Sequence, residues 1–349
     1  MKGSSSMKKL LSHASLAVLI GGVLTGCSGG TKKESLVDKI KARDQLVCSG
    51  SQGIPGLSRP DEKGVWRGFD SDVCRAIAVA ILGDAQKVRF VPLNAAQRLP
   101  AVQTGEIDIL SRTSTLTFTR DMAIRFVATT LYDGDVVITR KADNIDEPKK
   151  LAGRTICMQG GGSLVEGALD ELEAANDFKM KRVYFDSTIT ARDTYFAGRC
   201  DAYVTDGLAA QGNIATVAEN PAEHTTMYAG DAIEPNGIAI RRGDDKLFDV
   251  ARWTFNVLIW AEKNEITQAN VDDKAKNGDE VTKRILGGDP SFGRSMGLDP
   301  KWAYNVIKQV GNYGEIWDRN LGEKTPIKAD RGFNKLYTNG GLMFPLPWN

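Results

Sequence analysis

Histidine is nearly absent from this chain, which has two in 349 residues, His13 and His224. His13 lies near the N-terminus, so a single imidazole remains in the body of the chain. This scarcity excludes a multi-histidine metal site and leaves one imidazole at most for Ser/His or Cys/His catalysis. We therefore expect neither a metal nor another cofactor.

An excess of one charge is also missing, because 45 Lys+Arg balance 44 Asp+Glu to a net charge of +1. Without a basic surface, a nucleic acid is not an expected partner. A hydrophobic fraction of 42% with 26% charged residues is typical of globular proteins and argues against disorder. The length predicts two domains.

No apolar run reaches the roughly 20 residues that a membrane-spanning helix needs. A shorter run at residues 14–24 follows two lysines and ends in Leu24-Thr-Gly-Cys27. This order predicts a lipoprotein signal peptide at residues 1–26, because Leu-Thr-Gly-Cys resembles a bacterial lipobox. An ordinary signal peptide with a chance cysteine is the alternative.

Five cysteines are an odd number for an exported protein. Cys27 accounts for one of them if it carries the lipid anchor, with residues 27–35 as a flexible tether. The other four predict two disulfides, for which three pairings are possible. These four are Cys48, Cys74, Cys157 and Cys200.

Strand and helix patterns alternate from residue 46 onward, which predicts an α/β fold with a largely parallel sheet. The clearest helix spans residues 69–82, with Asp70 or Ser71 as its N-cap and Gly83 at its end. Residues 107–110 are predicted to form a strand. A similar order of elements returns after residue 154, which predicts two related α/β lobes.

Two loops and one acid are candidates for binding a small ligand. Residues 111–121 are rich in hydroxyls and end in Arg120, which suits a carboxylate, although a turn that caps the next helix is the alternative. Residues 160–163, Gly-Gly-Gly-Ser, can form a backbone nest for an anion or a flexible turn. Asp206 follows a strand at the end where open α/β sheets bind ligands, but is also a common turn residue.

These elements and their order resemble the type 2 periplasmic amino-acid-binding proteins of ABC importers. The resemblance rests on Gly68-Phe-Asp-Ser-Asp72, Gly105-Glu-Ile-Asp108 and residues 115–120. Residues 302–317 and 340–343 are similar to the larger general L-amino-acid-binding subgroup.

The resemblance implies a two-lobed periplasmic-binding-protein type 2 fold with a hinge between the lobes. Lobe 1 would comprise residues 36–136 and 237–349, and lobe 2 residues 137–236. The protein would be a periplasmic monomer that binds L-amino acids and delivers them to the permease subunits of an ABC transporter. One disulfide per lobe, Cys48–Cys74 and Cys157–Cys200, would leave the hinge free, whereas a bridge between lobes would obstruct it.

The same resemblance assigns the ligand-binding residues. Arg120 would clamp the α-carboxylate beside Thr115, the carbonyl of Thr113 would accept from the ammonium, and Asp206 would pair with it. The N–H groups of the loop that contains Gly162 and Ser163 would donate to the carboxylate. Ser51, in the first loop of the lobe, is also assigned to the site.

Several positions depart from the family pattern. Gly50, Gly53 and Ala95 stand where relatives have larger side chains, which predicts a roomier pocket. Arg112 and Gln159 could favour acidic or amide ligand side chains. A structural hydrogen bond is the alternative role for Arg112.

Two other functions are compatible with the same fold. An enzyme of the dehydratase or cell-wall lytic type would need a general acid or base, for which Glu166 is the candidate. A sensory module that reports amino acids to a receptor would have an identical binding site. We predict a binding protein rather than an enzyme, since histidine is so scarce.

Overall fold

A computed structural model describes residues 34–230 and 233–348. The predicted signal peptide, Cys27 and most of the tether lie outside the described residues. The strands of the described part are β1 (Leu46–Gly50), β2 (Arg59–Pro60), β3 (Trp66–Arg67), β4 (Val88–Pro92), β5 (Arg125–Asp133), β6 (Asp135–Arg140), β7 (Thr155–Gln159), β8 (Lys181–Phe185), β9 (Ala202–Asp206), β10 (His224–Tyr228) and β11 (Glu234–Ile240). Its α-helices are α1 (Leu36–Arg43), α2 (Phe69–Leu82), α3 (Arg98–Thr104), α4 (Phe118–Ala123), α5 (Val165–Asn176), α6 (Thr188–Phe196), α7 (Gly207–Thr216), α8 (Asp245–Lys263), α9 (Val271–Asn277), α10 (Glu280–Lys283), α11 (Ser291–Arg294), α12 (Trp302–Val310) and α13 (Tyr313–Asn320).

Helix α2 is the centre of the first half of the fold. It is buried along nearly its whole length and packs against α8 and α12. Its first residue, Phe69, meets the rings of Tyr313 and Trp317 edge to face at 5.5 and 6.2 Å. Strands β1 and β4 pair in parallel beside it. This packing fixes the N-terminal end of α2, which carries Asp70 toward the site described below.

The second half is built on a five-stranded sheet with the order β10-β6-β9-β7-β8. Strand β7 runs parallel to β8 and β9, whereas β6 runs antiparallel to β9 and β10. The sheet is therefore mixed, and the prediction of a largely parallel sheet holds only for part of it.

Two antiparallel pairs connect the halves. Strands β5 and β6 are separated by Gly134 alone, and β11 pairs with β5 while β10 pairs with β6. The chain thus crosses between the halves in extended segments, which is the geometry that a hinge needs. The lobe boundaries given above stay a prediction.

Both predicted disulfides are present. Cys48–Cys74 joins β1 to α2, and Cys157–Cys200 joins β7 to the segment before β9. Each bridge therefore lies within one half of the fold and spans 26 or 43 residues of sequence.

Two local predictions were wrong. The N-cap of α2 is Gly68 rather than Asp70 or Ser71, because the helix already begins at Phe69 and the Asp70 carboxylate accepts from Ser111 and Thr113 instead. Residues 107–110 make isolated bridges, Ile109 with Cys48 and Leu110 with Ala239, and no strand.

In residues 34–230 and 233–348, no helix has both the length and the apolar character required to span a bilayer.

Candidate functional site

A polar cavity lies between the two halves of the fold. Three arginines and three acids line it together with hydroxyl and small apolar side chains. The charged residues are Arg98, Arg112, Arg120, Asp135, Asp206 and Glu234.

Asp70 fixes the loop that follows residue 110 through hydrogen bonds. Its carboxylate accepts from the Ser111 hydroxyl at 3.3 Å and from the backbone N–H of Thr113 at 3.2 Å. Thr113 adopts a φ of 32°, which is uncommon for a β-branched residue and indicates a backbone constrained by its surroundings. Burial raises the pKa of Asp70 to about 7 despite these two donors.

Arg120 is buried and reaches across the cavity. It lies in the first turn of α4, whose N-cap is Thr117, and the Thr117 hydroxyl accepts from the backbone N–H of Arg120. The guanidinium donates to the carbonyl of Thr115 at 3.1 Å and to that of Gly162 at 2.8 Å. The capping turn and the buried arginine, set against each other as alternatives from sequence, therefore occur together. Burial lowers the pKa of Arg120.

Arg98 supports the same two loops. Its guanidinium donates to the carbonyls of Thr113 at 3.3 Å and Gly162 at 3.4 Å. The Thr113 carbonyl, which the resemblance assigns to the ligand ammonium, therefore already accepts a hydrogen bond from Arg98. Burial and the neighbouring Arg112 and Arg120 hold the pKa of Arg98 well below its usual value.

Arg112 differs from the other two arginines because its side chain makes no hydrogen bond to any described residue. It is buried, 3% exposed, and its Nε atom is fully enclosed without a partner. Burial lowers its pKa, while Asp206 and Asp70 act in the opposite direction.

The loop at residues 160–163 lies between β7 and α5. Gly161 and Gly162 have φ values of 74° and 96°, which favour glycine. A Cβ on Gly162 would lie 3.4 Å from the carbonyl oxygen of Ala95, so this loop approaches the opposite wall closely. The N–H groups of Gly162 and Ser163 have no partner among the described residues, which leaves them available to an anion.

The acids lie where the halves meet. Asp206 ends β9, and burial raises its pKa although all three arginines oppose the shift. Burial, with Asp206, Glu234 and Asp133 nearby, raises the pKa of Asp135 to about 9. One carboxyl oxygen of Asp135 is enclosed without a partner, whereas Glu234 accepts from the Thr115 hydroxyl at 2.9 Å.

Most residues assigned from the resemblance lie at this cavity. Arg120, Thr115, Thr113, Asp206 and Ser163 line it, and Gly162 contributes the carbonyl that Arg120 contacts. Ser51 does not line it, since its hydroxyl donates to the carbonyl of Ser58 and accepts from two backbone N–H groups nearby. The ligand-binding roles of all seven residues remain predictions.

The expected extra room is partly filled. A Cβ on Gly50 would lie 2.3 Å from the indole of Trp66, and one on Gly53 would lie 3.0 Å from Ile189. Ala95 does line the cavity. The two glycines therefore make space for protein side chains rather than for a larger ligand.

Sequence reasoning missed Arg98 and Asp135 as residues of the cavity. Arg98 shares the buried face of α3 with Ala101 and Val102. A charged residue on an apolar helix face is a signal that could have identified it. Asp135 opens a strand whose next three residues are apolar and buried. In residues 34–230 and 233–348, no group of His, Cys, Asp and Glu is arranged to hold a metal ion.

Comparison with known proteins gives consistent results. The chain is 39% identical over 336 residues to the general L-amino acid-binding periplasmic protein AapJ of Rhizobium johnstonii, covering 95% of this chain and 98% of that protein. It is 37% identical over 328 residues to the glutamate/glutamine/aspartate/asparagine-binding protein BztA of Rhodobacter capsulatus, covering 93% and 96%.

A solved structure extends the likeness to the fold. The ABC transporter/periplasmic binding protein from Brucella ovis with glutathione bound matches with a TM-score of 0.86 at 38% identity, over 90% of this chain and 99% of that one. This likeness confirms the predicted two-lobed α/β fold.

The family model of the bacterial extracellular solute-binding proteins, family 3, matches residues 46–273. This match covers well over half of the chain, which therefore belongs to family 3 of the bacterial extracellular solute-binding proteins.

Proposed function

We propose that this protein captures L-amino acids in the cavity between its two halves and delivers them to an ABC importer. The observation that carries the proposal is the convergence of Arg120 and Asp206 on one buried cavity from opposite halves. A free amino acid presents a carboxylate and an ammonium a few bonds apart, and these two residues offer the matching charges.

The physical basis is mutual compensation of buried charge. Arg120 and the free N–H groups of the 160–163 loop suit a carboxylate, and Asp206 suits an ammonium. A ligand without either group would leave a buried charge unpaired, which costs several kcal/mol. Because the cavity walls come from both halves, closure around the ligand removes water and strengthens each contact.

The proposed partners and location follow from the family. The relatives AapJ and YhdW, the latter from Escherichia coli, are described as an amino-acid-binding periplasmic protein and a putative amino-acid ABC transporter-binding protein. We place this chain in the periplasm, working as a monomer with the permease of an ABC transporter. Lipid attachment at Cys27 would keep it at a membrane.

An enzymatic role has less support. Glu166, the acid that such a role would need, does not line the cavity. The relatives named above are binding proteins, and the chain shares their length. No observation on the described residues favours a sensory module over a transport protein.

Calorimetry with the twenty amino acids tests the proposal. We expect at least one L-amino acid to bind with a Kd of about 1 μM or lower, and Arg120→Ala or Asp206→Ala to weaken it at least tenfold, about 1.4 kcal/mol. Arg199→Ala is the matched control, since Arg199 is exposed and its side chain makes no hydrogen bond or ion pair to a described residue. Full binding by both site variants would refute the assignment.

A further inference from the structure

We propose that the ligand of this cavity carries a second carboxylate and that the Arg112 guanidinium binds it. The inference rests on the proposed function, since it assumes an amino-acid head group held by Arg120 and Asp206. It adds the class of side chain that this protein selects, an acidic one.

The first argument is the unmet hydrogen-bonding capacity of Arg112. Arg120 and Arg98 both donate to backbone carbonyls, whereas Arg112 donates to no described residue. A guanidinium has five N–H groups, and a buried one without acceptors is unfavourable. Arg112 lines the cavity and is 3% exposed, so a ligand is the acceptor that can reach it.

The second argument is the charge of the cavity wall. Three guanidinium groups face three acids, but Asp135 is neutral at pH 7 because its pKa lies at about 9. Glu234 is already engaged by the Thr115 hydroxyl, and Asp206 is assigned to the ligand ammonium. A zwitterion with a neutral side chain brings no net charge to this wall. An acidic side chain supplies the negative charge that balances Arg112.

Chemistry distinguishes an acidic side chain from its amide. A carboxylate accepts two parallel N–H bonds from one guanidinium and carries the opposite charge. A carboxamide offers one acceptor oxygen and no charge, and its NH₂ group would face a second donor. We therefore expect the acid to bind at least about 100-fold more tightly than the amide, since sites built around polar pairing reject mismatched ligands strongly.

Competition calorimetry on the purified chain tests this inference, with glutamate, aspartate, glutamine, asparagine and glutathione as the probes. The decisive variant is Arg112→Gln, which keeps polar N–H groups and removes the charge. We expect it to weaken binding of the acid at least about 30-fold and to change binding of the amide less than about threefold. Arg112→Lys should restore part of the preference, and Arg199→Gln should have no effect on it.

The outcomes separate the two proposals. If the amide binds as tightly as the acid and Arg112→Gln leaves their ratio unchanged, the inference about Arg112 is wrong and the amino-acid function stands. If none of the twenty amino acids binds, the proposed function is wrong. Glutathione has an amino-acid head and a more distant second carboxylate. Tighter binding of glutathione, lost in Arg112→Gln, would support Arg112 as the second-carboxylate site and assign that carboxylate to a peptide.

Discussion

At the scale of single residues, the acids beside the crossing strands are held in an unusual protonation state. Asp133 and Asp135 flank Gly134, and burial raises the pKa of Asp133 to about 8 and that of Asp135 to about 9. Asp206 and Glu234 face both of them, while Arg120 is the cation that opposes the shift at Asp135. In the ligand-free protein these acids therefore retain protons at neutral pH.

This protonation predicts a pH-dependent stability. Because the folded pKa of Asp135 exceeds the unfolded value of 3.8, the folded state binds the extra proton and loses stability as the pH rises from about 4 to about 9. Asp135→Asn removes that loss. We expect it to raise the free energy of unfolding at pH 8 by about 1 kcal/mol or more relative to its effect at pH 5.

Denaturant unfolding of the ligand-free protein at the two pH values measures the effect. Glu219→Gln is the control, because it removes an acid that is exposed on the surface. An equal effect of Asp135→Asn at both pH values would show that Asp135 is ionised in the folded protein, contrary to this prediction.

The sequence could predict some of the cavity residues and not others. Arg120 and Asp206 could be assigned because each lies in a recognisable run of residues, and Asp206 also ends a strand at the edge where ligands bind. Arg98 lies in a short helix distant in sequence from that loop, and only the packing of α3 brings it to the carbonyl of Thr113. Whether the Arg112 side chain has a hydrogen-bond partner depends on atoms from several elements of the fold. No local sequence pattern can therefore predict it.

At the scale of elements, the loop between β7 and α5 joins the two halves through one carbonyl. The carbonyl of Gly162 accepts from Arg120 and Arg98, while its backbone adopts a φ of 96°. That conformation favours glycine, whereas a Cβ at this position would make only an ordinary van der Waals contact with the carbonyl of Ala95. The loop therefore has little freedom to move without disturbing the arginines.

Replacing this glycine should impair binding more than stability. We expect Gly162→Ala to weaken ligand binding at least tenfold, about 1.4 kcal/mol, because an alanine strained at a φ of 96° would shift the carbonyl that Arg120 and Arg98 contact. Gly153→Ala is a matched control, since Gly153 has a similar φ of 72° and no neighbour within 4 Å of its Cβ position.

Calorimetry and thermal unfolding of both variants measure the two effects. Both should lose a similar amount of stability, about 1 kcal/mol from the left-handed conformation. Equal losses of affinity in the two variants would show that strain, rather than contact across the cavity, explains the effect of Gly162→Ala.

Helices proved more predictable than strand pairing. The bounds predicted for α2 agree with the structure because its apolar face and terminal glycine are local signals. Residues 107–110 have the composition of a strand but only isolated bridges, because their neighbours β1 and β11 contact them at single points. Whether a strand pairs in parallel depends on its distant partners, so the antiparallel pairs β5–β11 and β6–β10 could not be derived from alternation alone.

At the scale of the whole molecule, the two halves meet through the cavity and through two crossing segments. Each disulfide stays within one half, so neither limits their relative motion. The repeated strand–helix order in the sequence indicated two related halves. It carried no information on how closely they approach, which depends on contacts such as the hydrogen bonds from Arg98 and Arg120 to the Gly162 carbonyl.

The nearness of Ala96 to Gly161 allows the motion itself to be tested. An ideal Cβ on Gly161 lies 3.5 Å from the Cβ of Ala96, a separation that a disulfide can span. Both residues are exposed, so a bridge between them would be accessible to oxidant and reductant. We expect the double variant Ala96→Cys/Gly161→Cys, oxidised with ligand bound, to release its ligand at least about 100-fold more slowly than the reduced form.

Ligand dissociation can be followed by exchange against labelled amino acid before and after mild reduction. The four cysteines of the two native disulfides are buried and should stay paired under conditions that open the engineered bridge. Each single cysteine variant controls for the substitutions themselves, including the strain at the left-handed φ of 74° at Gly161. If the bridge forms and dissociation keeps its rate, the ligand leaves without separation of the halves at this edge, and the hinge is not required for release. If release stops until reduction, opening of the cavity is the step that lets the ligand leave.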